Sequence, residues 1–224
     1  MTVSMKPVKK SDAGKSWMRK RRDLKRMIAP EYHLIVSEGT RTEPLYFDRV
    51  KELINQKYSG RIHLEIVGKG NNTLKLFHQA KIHVEQSNIT YKHIWLIYDK
   101  DDFPPLSFDQ TAELCERATN EECCYHAIWS NPCFELWFLL HFMYLQTDIN
   151  RSEYEPKLTE HMKERSLGIY TKTRTDMFDT LRPYLDEAVQ HSKRLEQTHK
   201  ETPPSGAAPC TKVHILVEKL RPYI

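Results

Sequence analysis

Several common protein classes need features this chain has little of. It has five cysteines, Cys115, Cys123, Cys124, Cys133 and Cys210. The count is odd, two of them are adjacent, and none forms a Cys-x-x-Cys pair. That spacing speaks against a disulfide framework or a structural zinc site, and it fits a reducing cytoplasm. No apolar run approaches the roughly 18 residues of a membrane-spanning helix. The N-terminus is basic, but no apolar segment follows, so no secretory signal is expected; composition leaves an organellar transit peptide open. Glycine occurs only seven times. The glycine-rich stretch Gly68-Lys-Gly-Asn-Asn-Thr73 lacks the Gly-Lys-Ser/Thr ending of a phosphate-binding P-loop.

The 224 residues suit one large domain, or one domain with an appended part. With 39% hydrophobic and 29% charged residues, the chain can fill a core and stay soluble. Net charge is +4 but unevenly placed. Residues 1–28 hold ten Lys or Arg against Asp12 and Asp23, a net of +8, so the remainder carries −4. The first half of this segment, with Pro7, Ser11 and Gly14, reads as disordered. The second half can turn helical on contact. Three roles stay open for it: a phosphate-binding arm, a solvated tail, or an arm that packs on a partner protein. The expected division is a basic arm over 1–28, an α/β core over 29–145, and a helical part over 146–224 packed on that core.

The chain is organised around Leu96-Ile-Tyr-Asp-Lys-Asp-Asp102. An apolar run from His93 to Tyr98 reads as a buried strand that ends in three carboxylates. Asp99 and Asp101 are two apart, so on extended backbone they point the same way. Held close, two carboxylates repel unless a cation lies between them, and hard oxygen donors suit Mg²⁺ or Mn²⁺. The structural alternative is that Asp opens a loop after a strand. A second strand, Tyr32 to Ser37, also ends in an acid, Glu38, followed by Gly39. Thr42-Glu43-Pro44 then opens a helix, with Thr42 as cap and Glu43 as a favourable charge at its N-terminus. Further strands are expected over Arg61–Val67 and Cys123–Trp129. Helices are expected over Thr73–Gln86 and Asp109–Thr119. Strands alternating with helices predict a mainly parallel sheet covered on both faces, with its binding crevice at the carboxyl ends of the strands. Provided their strands are neighbours, Glu38, Asp99 and Asp101 converge there.

Asn131-Pro132 then reads as the N-cap and first residue of a helix running to His141. That helix is nearly all apolar except for Glu135. A buried carboxylate needs a partner, either a basic side chain or a shared metal. His141 and His214 read as core or surface histidines. The rest is helical: Ser152–Arg165, Thr175–Gln197, a Pro-rich loop, and a closing helix over Pro209–Leu220 capped by Thr211. Lys69, Lys100 and Lys172 are candidates to steady phosphates, with solvated lysines as the plain alternative.

Three stretches together resemble the RloB-like family, which also includes the AbiLii-type phage-abortive-infection proteins. They are Val36-Ser-Glu-Gly-Thr-Arg-Thr-Glu-Pro-Leu-Tyr-Phe47, Tyr98-Asp-Lys-Asp-Asp102, and Asn131-Pro-Cys-Phe-Glu-Leu-Trp-Phe-Leu-Leu-His-Phe142. The match runs from about residue 31 to the end. The resemblance implies a Toprim-like, Rossmann-like domain, as found in topoisomerases, primases, OLD-type nucleases and ribonucleases that mature ribosomal RNA. By this likeness Glu38 is the Toprim glutamate, and Asp99 and Asp101 are the metal-binding pair. Glu135 is a further acid of this branch, and Tyr170 with Lys172 matches a Tyr-x-Lys of the family. The family's Asn-Pro-x-Thr before the last helix stands here as Ala-Pro-Cys-Thr.

The expected activity is therefore that of a cytoplasmic, metal-dependent nuclease acting on RNA, such as tRNA, or on DNA. Mg²⁺ or Mn²⁺ would be held by Glu38, Asp99, Asp101 and Glu135. The resemblance also implies a role in anti-phage defence beside an ATPase of the ABC or AAA type. The competing expectation is a non-catalytic module that binds nucleic acid or an ATPase and carries only a structural ion.

Overall fold

A computed structural model describes residues 30–66, 73–100 and 104–224. The basic segment 1–28, the loop with Lys69, and Asp101 lie outside the described residues. The chain divides into two units, residues 1–30 and 31–224, and every strand and helix described lies in the second.

That unit is built on a five-stranded sheet. Its strands are β1 (His33–Ser37), β2 (Ile62–Ile66), β3 (His93–Asp99), β4 (Cys124–Asn131) and β5 (Cys210–Thr211), in the order β2-β1-β3-β4-β5. The first four run parallel, and β5 pairs antiparallel with the end of β4. The fold is thus α/β, with a mainly parallel sheet flanked by helices. Every residue of β1 is buried, as is β3 up to Tyr98. Continuous apolar runs of this kind belong in central parallel strands covered on both faces. In β2 the pattern alternates, and it lies at the margin. Both margins are occupied by polar side chains. Asn55 donates to the Ile62 carbonyl and accepts from the N–H groups of Arg61 and Ile62. The Thr119 hydroxyl bonds both the N–H and the carbonyl of Tyr125.

The helices are α1 (Thr42–Lys57), α2 (Thr73–Gln86), α3 (Pro105–Ala118), α4 (Glu135–Leu139), α5 (Tyr154–Glu164), α6 (Met177–Leu181), α7 (Leu185–Thr198) and α8 (Val213–Leu220). Under one face of the sheet, Tyr98 packs edge-on against Phe108 of α3, and Phe108 against Trp129. On the other, Tyr46 of α1 meets Phe134, Phe138 and Phe178 at ring distances of 6.0, 5.5 and 5.3 Å. Tilted and edge-on rings at this range bury large area and add a favourable quadrupole contact.

Several expected boundaries move, each for a local reason. Thr42 is the first residue of α1 and not its cap; the cap position falls to Arg41. Helix α3 starts at Pro105, four residues early, because proline is tolerated in a first turn. Strand β4 continues to Asn131, since β5 pairs with Ser130 and Asn131. Asn131 is therefore the end of a strand and not a helix cap. Its amide donates to the carbonyls of Pro204 and Ser205. The helix after it starts only at Glu135. The helix expected over 175–197 breaks at Arg182–Tyr184, where Pro183 has no N–H to give. The start of the expected closing helix is strand β5, but the Thr211 hydroxyl still accepts from the Val213 N–H at 3.3 Å.

At the amino ends of the strands, three histidines and a tryptophan stack on the sheet. Rings of Trp95 and His126 lie 3.9 Å apart, and those of His33 and His93 4.9 Å. Trp95 donates to His33 Nδ1 at 3.0 Å, and His93 bridges His126 and Glu31 at 3.0 Å each. His33 is fully buried, and this burial, with His93 beside it, lowers its pKa from 6.5 to about 3. The folded protein therefore refuses a proton that the unfolded chain accepts below pH 6.5. Stability tied to His33 is intact above that value and is lost as pH falls towards about 3. Between pH 7 and 5 the loss from this one group is about 2 kcal/mol. His33→Phe is expected to be less stable at pH 7, because Trp95 loses its acceptor. Its denaturant midpoint should then depend less on pH between 7 and 5, by about that same amount. Equal slopes for the two proteins would refute the assignment.

Candidate functional site at the carboxyl edge of the sheet

Parallel pairing decides where the acids end up. Ser37 lies opposite Ile97, and the next residue, Glu38, donates its N–H to the Ile97 carbonyl at 3.0 Å. Strands β1 and β3 are thus direct neighbours, and Glu38 leaves the sheet beside Tyr98 and Asp99. Its carboxylate bears on the Tyr98 phenol, which burial first, and nearby negative groups including Glu38 after it, hold well above its ordinary pKa.

Asp99 is the last residue of β3, level with Ser130 of β4. Its Oδ2 accepts the Phe134 N–H at 3.0 Å, just before α4. Glu135, the first residue of α4, is only 4% exposed. Cys133, the residue before that N–H, is buried. Burial first, then Glu135 and Asp99, push its pKa far up. Asp99 is thus hydrogen-bonded to the residue just before Glu135.

Glu135 has its own shell. Its Oε1 accepts from the Tyr170 hydroxyl at 3.0 Å and lies 3.8 Å from Lys172 Nζ. Lys172 is also paired with Glu155 at 3.0 Å, and that bond leads the causes that raise its pKa. Lys172 is accordingly charged and half-exposed at the rim. Lys100 holds the edge through its backbone, donating its N–H to the Ser130 carbonyl at 2.8 Å.

A further acid reaches this edge. Glu43, expected only as a charge in the first turn of α1, is buried at 7% exposure, against 9% for Glu38. Its carboxylate lies over Gly39, in the space a β-carbon there would occupy. The sequence signal was present in Gly39 and Glu43, four apart. Glu155 had none, since only folding brings α5 to Lys172.

Among the described residues, no three His, Cys, Asp or Glu side chains form a group arranged to hold a metal ion. Asp101, the expected second member of the pair, is not among them. The acidic side chains in place at this edge are nonetheless carboxylates. That chemistry suits a hard ion such as Mg²⁺ or Mn²⁺ and not a soft one.

An α/β domain that gathers buried acids at the exit of parallel strands is a known vehicle for ligand and metal sites. The family model for RloB-like proteins matches residues 33–220, and the chain belongs to the RloB-like family. No curated protein and no solved structure matches it. Among the described residues, no helix is long and apolar enough to cross a membrane.

Gly39→Ala should force the Glu43 carboxylate out of its buried place. A loss of about 1–3 kcal/mol is expected in chemical denaturation, the usual cost of overpacking. Adding Glu43→Ala should recover most of it, and a strictly additive double variant would refute the contact.

Proposed function

We propose that this protein is a Toprim-type nuclease that cleaves phosphodiester bonds with the help of Mg²⁺ or Mn²⁺. Glu38, Asp99, Asp101 and Glu135 are the residues to hold the ion. The observation that carries this reading is the set of carboxylates where β1, β3 and β4 leave the sheet, with Glu38 and Glu135 buried and Asp99 half-buried. Burying several like charges is costly unless something positive offsets them. Membership of the RloB-like family supports the same reading.

When bound, a divalent ion supplies Lewis-acid polarisation of the phosphodiester and stabilises the departing oxygen. The chain's own residues do the remainder. Asp99 is aimed by the Phe134 N–H, and Glu135 by Tyr170. Lys172, charged and at the rim, can exchange its bond to Glu155 for a substrate phosphate. In the alternative role, Glu38 takes a proton from the attacking water instead of holding the ion. The buried aromatic wall of Tyr46, Phe134 and Phe138 keeps bulk water from the back of the site. The resemblance adds a setting for the activity, namely anti-phage defence beside an ATPase partner.

The test offers labelled tRNA, single-stranded DNA and duplex DNA to the purified protein with Mn²⁺ or Mg²⁺. Cleavage of one of them is expected, abolished by EDTA. Glu38→Gln and Asp99→Asn are each expected to lower it roughly 100-fold or more while circular dichroism stays unchanged. Cleavage that survives EDTA and both substitutions would reject the proposal.

A further inference from the structure

The loop between α5 and α6 makes a contact that the metal reading does not require. Tyr170 lies on it, buried, with its ring against Phe138 at 5.9 Å. Its hydroxyl donates to Glu135 Oε1 at 3.0 Å. A phenol has one proton, and here it goes to the carboxylate of the residue that opens α4.

The loop that presents Tyr170 is itself braced. Arg174 donates to the carbonyls of Leu167 and Ile169 at 2.8 and 3.0 Å, and it forms a two-pronged ion pair with Asp176. Gly168 turns the loop at φ +86°, a conformation glycine adopts without strain. The Tyr170 N–H is tied to the Thr159 hydroxyl of α5 at 3.3 Å. Such bracing at both sides of one tyrosine is more than packing a ring requires.

We infer that Tyr170 is a positioning residue that clamps the Glu135 carboxylate in one orientation and so sets which divalent ion the acidic edge accepts. This rests on the metal reading above. Small Mg²⁺ and Mn²⁺ demand rigid, near-octahedral oxygen donors, whereas Ca²⁺ tolerates movable carboxylates that bind through one or both oxygens. Partners that orient a ligand are commonly worth 10- to 100-fold in metal affinity. The bond from the phenol fixes the direction in which Glu135 presents its lone pairs. Without it, the carboxylate could turn to bind through both oxygens, as Ca²⁺ tolerates.

The experiment measures binding of Mn²⁺ and of Ca²⁺ by isothermal titration on the full chain, with no substrate present. It compares the wild-type protein with Tyr170→Phe, which keeps the ring and removes only the hydroxyl. Tyr170→Phe is expected to bind Mn²⁺ about 10-fold more weakly, with Ca²⁺ affinity changed by less than about threefold. A packing role alone would weaken both ions together. Equal changes for the two ions, or no change, overturn the clamp and leave the metal reading intact. Failure of the wild-type protein to bind either ion overturns both.

Discussion

The constraint on which this molecule depends is the direct parallel pairing of β1 with β3. Two strands that leave the sheet at the same end must deliver whatever follows them to the same place. Glu38 follows one, and Asp99 ends the other. Had β2 intervened, the two acids would have been separated by another strand spacing. β4 extends the argument by one strand, because its exit leads within four residues to Glu135. The acidic edge is thus a product of strand order, and no single helix or loop creates it.

Once the acids are gathered, the surroundings have to keep them there. Three of the described acids have an assigned neighbour: a backbone N–H for Asp99, a phenol and a lysine for Glu135, the glycine-floored pocket for Glu43. The lysine is shared with Glu155 on α5, so the helical second half of the chain contributes charge as well as packing. The first half supplies the carboxylates, and the second half supplies the groups that fix one of them. This division explains why a compact α/β core carries a helical extension of nearly equal importance.

The sheet and its acids were largely legible in the sequence, because fully buried parallel strands are written as unbroken apolar runs, and His33–Ser37 and His93–Tyr98 are such runs. Thr73–Gln86 was legible to the residue through its helical spacing. Asn131 was misleading for a physical reason. Asn-Pro before an apolar stretch carries the local chemistry of a helix start, but the tertiary pairing of Ser130 and Asn131 with β5 outweighs it. β5 itself, two residues long, is too short to leave any periodicity. Pro183, inside the helix expected over 175–197, carries the local signal for the break. The contacts of Tyr170, Lys172 and Glu155 join positions up to 37 residues apart, and no local pattern encodes them. Lys172 was legible only as one of several basic candidates and as the lysine of the family's Tyr-x-Lys.

Asn55 and Thr119 have a further consequence. A mostly parallel sheet with two margins offers two rows of backbone groups onto which a second polypeptide could ladder. Here one side chain from α1 saturates the start of β2, and one threonine just past α3 saturates the start of β4. An intruding strand must first evict a side chain that already makes two or three good bonds. These two points of the margins are thereby closed to edge-to-edge pairing, which needs unpaired backbone groups.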